Sequence, residues 1–143
     1  MNRVLIPRDI GLLLARVAFA AIFLAAGYGK IVGYSGSVAY MTKLGVPAAS
    51  IVAPLVLVFE IAVGIALLVG FKTRIAALAV ALFCIATAVL AHWNFGDQNQ
   101  LNHFLKNIAI AGGALALHLS GPGRYSVDEG SSAGNAGSAH PLH

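Results

Sequence analysis

Apolar residues run almost without interruption through four stretches of this chain, roughly residues 10–29, 50–70, 75–93 and 101–120. Each comes close to the roughly 20 residues an α-helix needs to cross a bilayer. The second, which contains LVLVFEIAVGIALLVG, is apolar on all sides, unlike the one-sided pattern of a surface helix. Between the first and second runs, KIVGYSGSVAYMTKLGVP is too polar to span. Ser37 as an N-cap and Val38, Met41 and Leu44 on one side predict a short helix there, ending at Gly45 and Pro47. Such a helix lies along the membrane interface with Tyr34 and Tyr40 at headgroup depth, either as a plain connection or as a lid over a cavity. Pro54 is expected to loosen the second span. The loop Phe71-Lys72-Thr73-Arg74 is so short that the helices on either side are antiparallel neighbours. The third span ends in an aromatic belt, His92-Trp93-Asn94-Phe95, and residues 96–100 read as a plain turn. The pattern predicts an all-α membrane protein: a four-transmembrane-helix bundle with a short interfacial helix between helices 1 and 2.

Composition agrees and adds direction. Of 143 residues, 59% are hydrophobic and only 10% charged, outside the range of soluble domains. Residues 1–127 read as one transmembrane domain. From about Asp128 onward, Gly, Ser and Ala dominate, predicting a disordered cytoplasmic tail over 128–143. Arg3 and Arg8 ahead of an apolar run also describe a secretory signal, but Arg16 interrupts that run and three further spans follow, so it is read as an uncleaved first helix. Arg3, Arg8, Lys72, Arg74 and Arg124 fall on one side against Lys30 and Lys43 on the other, which places both termini in the cytoplasm by the positive-inside rule. The formal charge of +4 is spread singly along the chain, so nucleic acid is excluded as a partner, since its footprint is a basic patch. The single cysteine, Cys84, excludes an internal dithiol relay and reads as a small buried apolar residue.

The candidate chemistry sits inside the spans. Glu60 has no charged residue within eleven positions on either side and lies near mid-membrane. A carboxylate there needs a partner, a polar cavity, a ligand or a proton, because an unpaired one is uphill by roughly 2.5 to 3.5 kcal/mol. Arg16 and Lys30 fall close to one face of the first helix together with Ala20, Phe23 and Gly27. Arg16 either snorkels to the headgroups or pairs with Glu60, about 6 Å deeper by helical rise. His103, Lys106, Asn107, Ile110 and Ala114 share a face of the fourth helix, a stripe that lipid would not accept. The expected site is therefore an intramembrane polar pocket of Arg16, Lys30, Glu60, His103, Lys106 and Asn107, and the plain alternative is an ion network that fixes helix register. His92 and His103 are weak metal candidates, since two ligands fall short of the four a structural zinc takes.

Several stretches resemble the DoxX family of small bacterial four-helix inner-membrane proteins, over about Leu13 to Asp128. They are Ala15-Arg16 with FLAAGYGK at 23–30, LGVP at 44–47, Glu60, GFKTR at 70–74, Leu105-Lys106-Asn107, Gly112-Gly113 and GPGRYSVD at 121–128. The resemblance implies a bundle in the bacterial inner membrane and an association with quinone-linked or thiol-linked redox chemistry, as an oxidoreductase subunit or an oxidative-stress protein. The expectation is an accessory or quinone-interacting subunit with no catalytic motif of its own. Quinone is then the expected cofactor, and the bilayer, a redox partner protein and further copies of the chain are the expected partners. A scaffold or assembly subunit is the alternative from another class. Transport of a small solute or proton is a third, weakened by the missing internal repeat.

Overall fold

A computed structural model describes residues 5–136, so Arg3 and the end of the expected tail, 137–143, lie outside the described residues. Six helices follow in order: α1 Arg8–Val32, α2 Tyr34–Lys43, α3 Ala49–Val69, α4 Thr73–Ala91, α5 Gln98–Ser120 and α6 Val127–Ala136. The long helices form two packed pairs, α1 along α3 and α4 along α5, with α3 meeting α4 less extensively next to their short turn. One core joins the pairs, drawing Phe23 from α1, Val63 and Leu67 from α3, Val80 and Cys84 from α4, and Ala111 and Leu117 from α5. The alanines of α4 make this possible: Ala77, Ala81 and Ala88 are fully buried, letting neighbouring backbones approach.

The bundle is inside out relative to a soluble protein. Ile51, Leu55, Ile75, Leu82, Leu90 and Leu119 all point outward and are more than half exposed, the surface a helix presents to lipid. Three helices, α1, α3 and α4, are long and apolar enough to cross a membrane. α5 is of similar length, but Asn102, His103, Lys106 and Asn107 in its first half keep it out of that set.

Local details depart from the sequence pattern where a side chain chose a different role. Asp97 caps α5, accepting from the amides of Asn99 at 2.8 Å and Gln100 at 3.3 Å, so the expected plain turn already contains the helix start. α2 begins at Tyr34, directly after Gly33. Ser37 lies inside it and donates to the Gly33 carbonyl at 3.2 Å instead of capping. The seam of α1 and α3 is set by reciprocal small-into-large packing, in which a Cβ on Gly27 would fall 2.5 Å from Ile61 Cδ1 and one on Gly64 would fall 2.7 Å from Leu24 Cγ. Gly112, in contrast, has open space around it.

At the end where α1 starts and α5 finishes, here the basic end, arginines satisfy helix carbonyls that have no partner within their own helix. Arg16, fully buried, donates from Nη1 to the carbonyls of Leu67 and Leu68 at 3.2 Å each, the last turn of α3, and from Nη2 to the Tyr125 carbonyl. Arg74 donates to His118 and Leu119 at 2.6 and 2.7 Å, and Arg8 to Ser120 at 2.6 Å, which does the same for α5. Cations at helix C-termini also meet the negative end of the helix dipole. Gly70 turns the chain out of α3 at φ +75°, and a Cβ there would fall 2.4 Å from Ser126 Cβ and 2.6 Å from Arg16 Nη1, so the position admits only glycine without rearrangement.

Asp128 completes this end. The chain is helical from Val127 to Ala136. The Asp128 carboxylate accepts from the backbone amides of Lys72 at 2.7 Å and Thr73 at 2.9 Å, capping α4 from 55 residues away. Its own amide donates to the Gly70 carbonyl at 3.0 Å. Partial burial works against the charged form, but the two amide hydrogen bonds and the nearby Arg16 outweigh it and hold the Asp128 pKa below its ordinary 3.8. Because the folded value is the lower one, the cap's contribution is complete above the unfolded pKa and is lost as pH falls through the folded one. Asp128→Ala should therefore cost about 1 kcal/mol at neutral pH, and its deficit against wild type should shrink below about pH 4. Thermal unfolding of both proteins in detergent between neutral and acid pH checks this; a deficit independent of pH would assign Asp128 no capping role.

Candidate functional site

The half of the bundle remote from the basic end contains a cavity of about 710 Å³, within the range of small-molecule sites. Helices α1 to α5 and the residues that flank them contribute to it. The last turns of α1 bring Lys30, the middle of α3 brings Glu60, the second half of α4 brings Cys84, Thr87 and His92, and the start of α5 brings Lys106 and Asn107. α2 closes one wall with Ser37, Tyr40 and Met41. The remaining surface is apolar, with Phe23 and Phe83 facing one another at 6.1 Å between ring centroids.

Lys30 and Glu60 form the polar centre of this space. Lys30 Nζ lies 2.8 Å from Glu60 Oε1, and the side chains are 23% and 5% exposed. The other carboxylate oxygen, Oε2, is buried and has no hydrogen-bond partner among the described residues. Lys30 also sits in the last turn of α1, where the helix dipole favours a cation.

The expected pairing of Arg16 with Glu60 is not formed. Gly27 meets Ile61 and Gly64 meets Leu24 across the antiparallel seam, which puts Glu60 level with residue 28. Arg16 is then twelve residues, about 18 Å, from the level of Glu60, beyond reach. Estimating depth from each helix's own start missed this, because the register is decided by the interdigitated glycines. Arg16 serves the basic end and Lys30 takes the carboxylate.

Of the six residues expected to converge, the cavity wall unites Lys30, Glu60, Lys106 and Asn107 and leaves out Arg16 and His103. His103 stands beside the cavity, its Nδ1 3.2 Å from Lys106 Nζ and its ring stacked on His92 at 5.0 Å. The stack is further held by His92 Nδ1 against Gln100 Oε1 at 2.7 Å. Among the described residues no group of three or more His, Cys, Asp or Glu is placed to hold a metal ion. Trp93, Phe95 and Phe104 cluster nearby with centroids 5.0 to 5.7 Å apart.

Sequence reasoning named Tyr40 and Met41 only as parts of the short helix and did not find Thr87 as a wall residue. Nothing in the sequence separates Thr87 from neighbours that face elsewhere. Chemically, the arrangement offers a carboxylate with one free acceptor, ammonium and amide donors from Lys106 and Asn107, and aromatic walls. It suits a flat, amphipathic molecule with oxygen atoms at its edge.

Comparison with known proteins adds a family. A family model described as DoxX matches residues 11–93. The chain is 45% identical over 120 residues to the inner membrane protein YqjF of Escherichia coli (strain K12), spanning 84% of this chain and 91% of that protein. It is 39% identical over 127 residues to the inner membrane protein YphA of the same organism, spanning 85% and 90%. No solved structure matches the chain.

Proposed function

The chain belongs to the DoxX family, and from that premise we propose that it is an inner-membrane protein that binds a quinone-like amphiphile at Lys30–Glu60, as an accessory subunit of redox or oxidative-stress metabolism. The inner-membrane placement follows its relatives, both named inner membrane proteins, and its three apolar helices. In this reading α5 is the fourth span, its Lys106 and Asn107 turned to the cavity, and α2 lies at the interface between the first two spans. Both chain ends are cytoplasmic: Arg8, Lys72, Arg74 and Arg124 all belong to the basic end, which the positive-inside rule assigns to that side. The cavity then faces the outer leaflet.

The observation that carries the ligand reading is the ion pair. A carboxylate and an ammonium are costly to keep in a membrane interior, and here they border a ligand-sized apolar space instead of sealing against other side chains. The single cysteine supports an accessory role, since one thiol cannot form an internal disulfide.

Native mass spectrometry and an absorbance scan, run on wild type and Glu60→Gln purified in mild detergent, test the proposal. A quinone-type molecule that accompanies wild type, with less of its reduced form retained by the variant, is the expected result. Clean, unliganded protein in both cases, still without ligand after incubation with a benzoquinone, would reject the pocket and favour a scaffold.

A further inference from the structure

The ion pair with Lys30 leaves Glu60 Oε2 unexplained. We infer that the cavity selects a hydroxyl-bearing headgroup, a hydroquinone, over the corresponding quinone; this rests on the reading of the cavity as a quinone-type site. Lys30 Nζ lies 2.8 Å from Glu60 Oε1 as an ion pair, and a carboxylate in such a pair only accepts hydrogen bonds. Oε1 is supplied by Lys30, whereas Oε2 has no donor among the described residues. A buried acceptor without a donor is unfavourable, and native structures almost always provide one. The terminal torsion of a glutamate is soft, so a modest rotation presents this oxygen to the cavity that Glu60 lines.

The character of the missing donor follows from charge. Lys30 and Glu60 cancel, and Lys106 on the same wall leaves the cavity with an excess positive charge, which repels an ammonium ligand and leaves a neutral hydroxyl as the fitting donor. A quinone brings only lone pairs and would set a carbonyl oxygen against a carboxylate oxygen. A hydroquinone donates one hydroxyl to Glu60, while its second oxygen accepts from Lys106 or Asn107 and its ring lies among Phe23 and Phe83.

The test compares three probes of the same shape by equilibrium dialysis against the full chain in lipid nanodiscs under anaerobic conditions: a decyl-benzoquinone, its hydroquinone, and the hydroquinone's dimethyl ether, which retains the oxygens and loses both donors. The hydroquinone should bind at least about tenfold more tightly than the other two, the scale of a hydrogen bond to a charged group. In Glu60→Gln, whose carboxamide both donates and accepts, that preference should shrink to roughly threefold or less. Equal affinity for quinone and hydroquinone in wild type overturns the selection while leaving the quinone site intact. An ether that binds as well as the hydroquinone does the same, without relying on any variant. No binding of any probe removes both the selection and the site.

Discussion

Lys30→Met is expected to lower the stability of the folded protein by about 3 to 5 kcal/mol, because it strands the Glu60 carboxylate in a buried position. The pair is asymmetric. Glu60 is 5% exposed in the middle of α3, whereas Lys30 is 23% exposed in the last turn of α1. Removing the anion leaves a cation that can extend towards the helix end, so Glu60→Gln should cost about 1 to 2 kcal/mol, well below the lysine change. Removing both charges, as Lys30→Met with Glu60→Leu, should recover most of the loss, since apolar replacements of a buried pair are often neutral or better. Unfolding of the three variants in detergent by heat or denaturant provides the comparison. A Lys30→Met protein as stable as wild type would mean that Glu60 is neutral or paired elsewhere, and would remove the ion pair from the site.

Arg16→Met should cost about 3 kcal/mol and loosen the segment that follows α5, because it leaves the Leu67, Leu68 and Tyr125 carbonyls without their donor. Lysine in its place should not rescue the loss. A single ammonium cannot reproduce the planar fork that reaches the end of α3 with one nitrogen and Tyr125 with the other. The paired readouts are unfolding midpoint and limited proteolysis around residues 121–128, where cleavage should accelerate. Ligand binding at the far cavity should survive in the folded fraction, since Arg16 takes no part in its wall. Loss of binding with no loss of stability would return Arg16 to the ligand site.

The two variants separate two polar systems that the sequence reading merged. Arg16 and Glu60 were drawn together because both are charges inside spans and both need partners. The need was legible; the partner was not. Backbone carbonyls occur at every residue, and only folding shows that those of Leu67 and Leu68 are left free at the end of α3, within reach of a guanidinium. Lys30 belonged to the expected pocket from the start, but its pairing with Glu60 depends on the register that Gly27 and Gly64 impose. Asp128 shows the same gap at greater range. It stands at the edge of a Gly- and Ser-rich stretch whose composition reads as disorder, yet it captures two free amides at the start of α4.

By itself, the sequence determined what depends on composition and local order. Long apolar runs, sparse charge and short loops specify helices made for a bilayer, and the placement of arginines and lysines specifies a basic end. The isolation of Glu60 likewise announced a polar interior without any structure. The tertiary structure alone decided which charges meet, because contact between helices depends on how small residues admit large ones across a seam. It also decided that α2 walls a cavity, that the two histidines stack beside it, and that the chain's last described segment returns to cap α4. The ion pair joins residues 30 positions apart and the α4 cap joins residues 55 and 56 apart, separations over which neither periodicity nor propensity carries information.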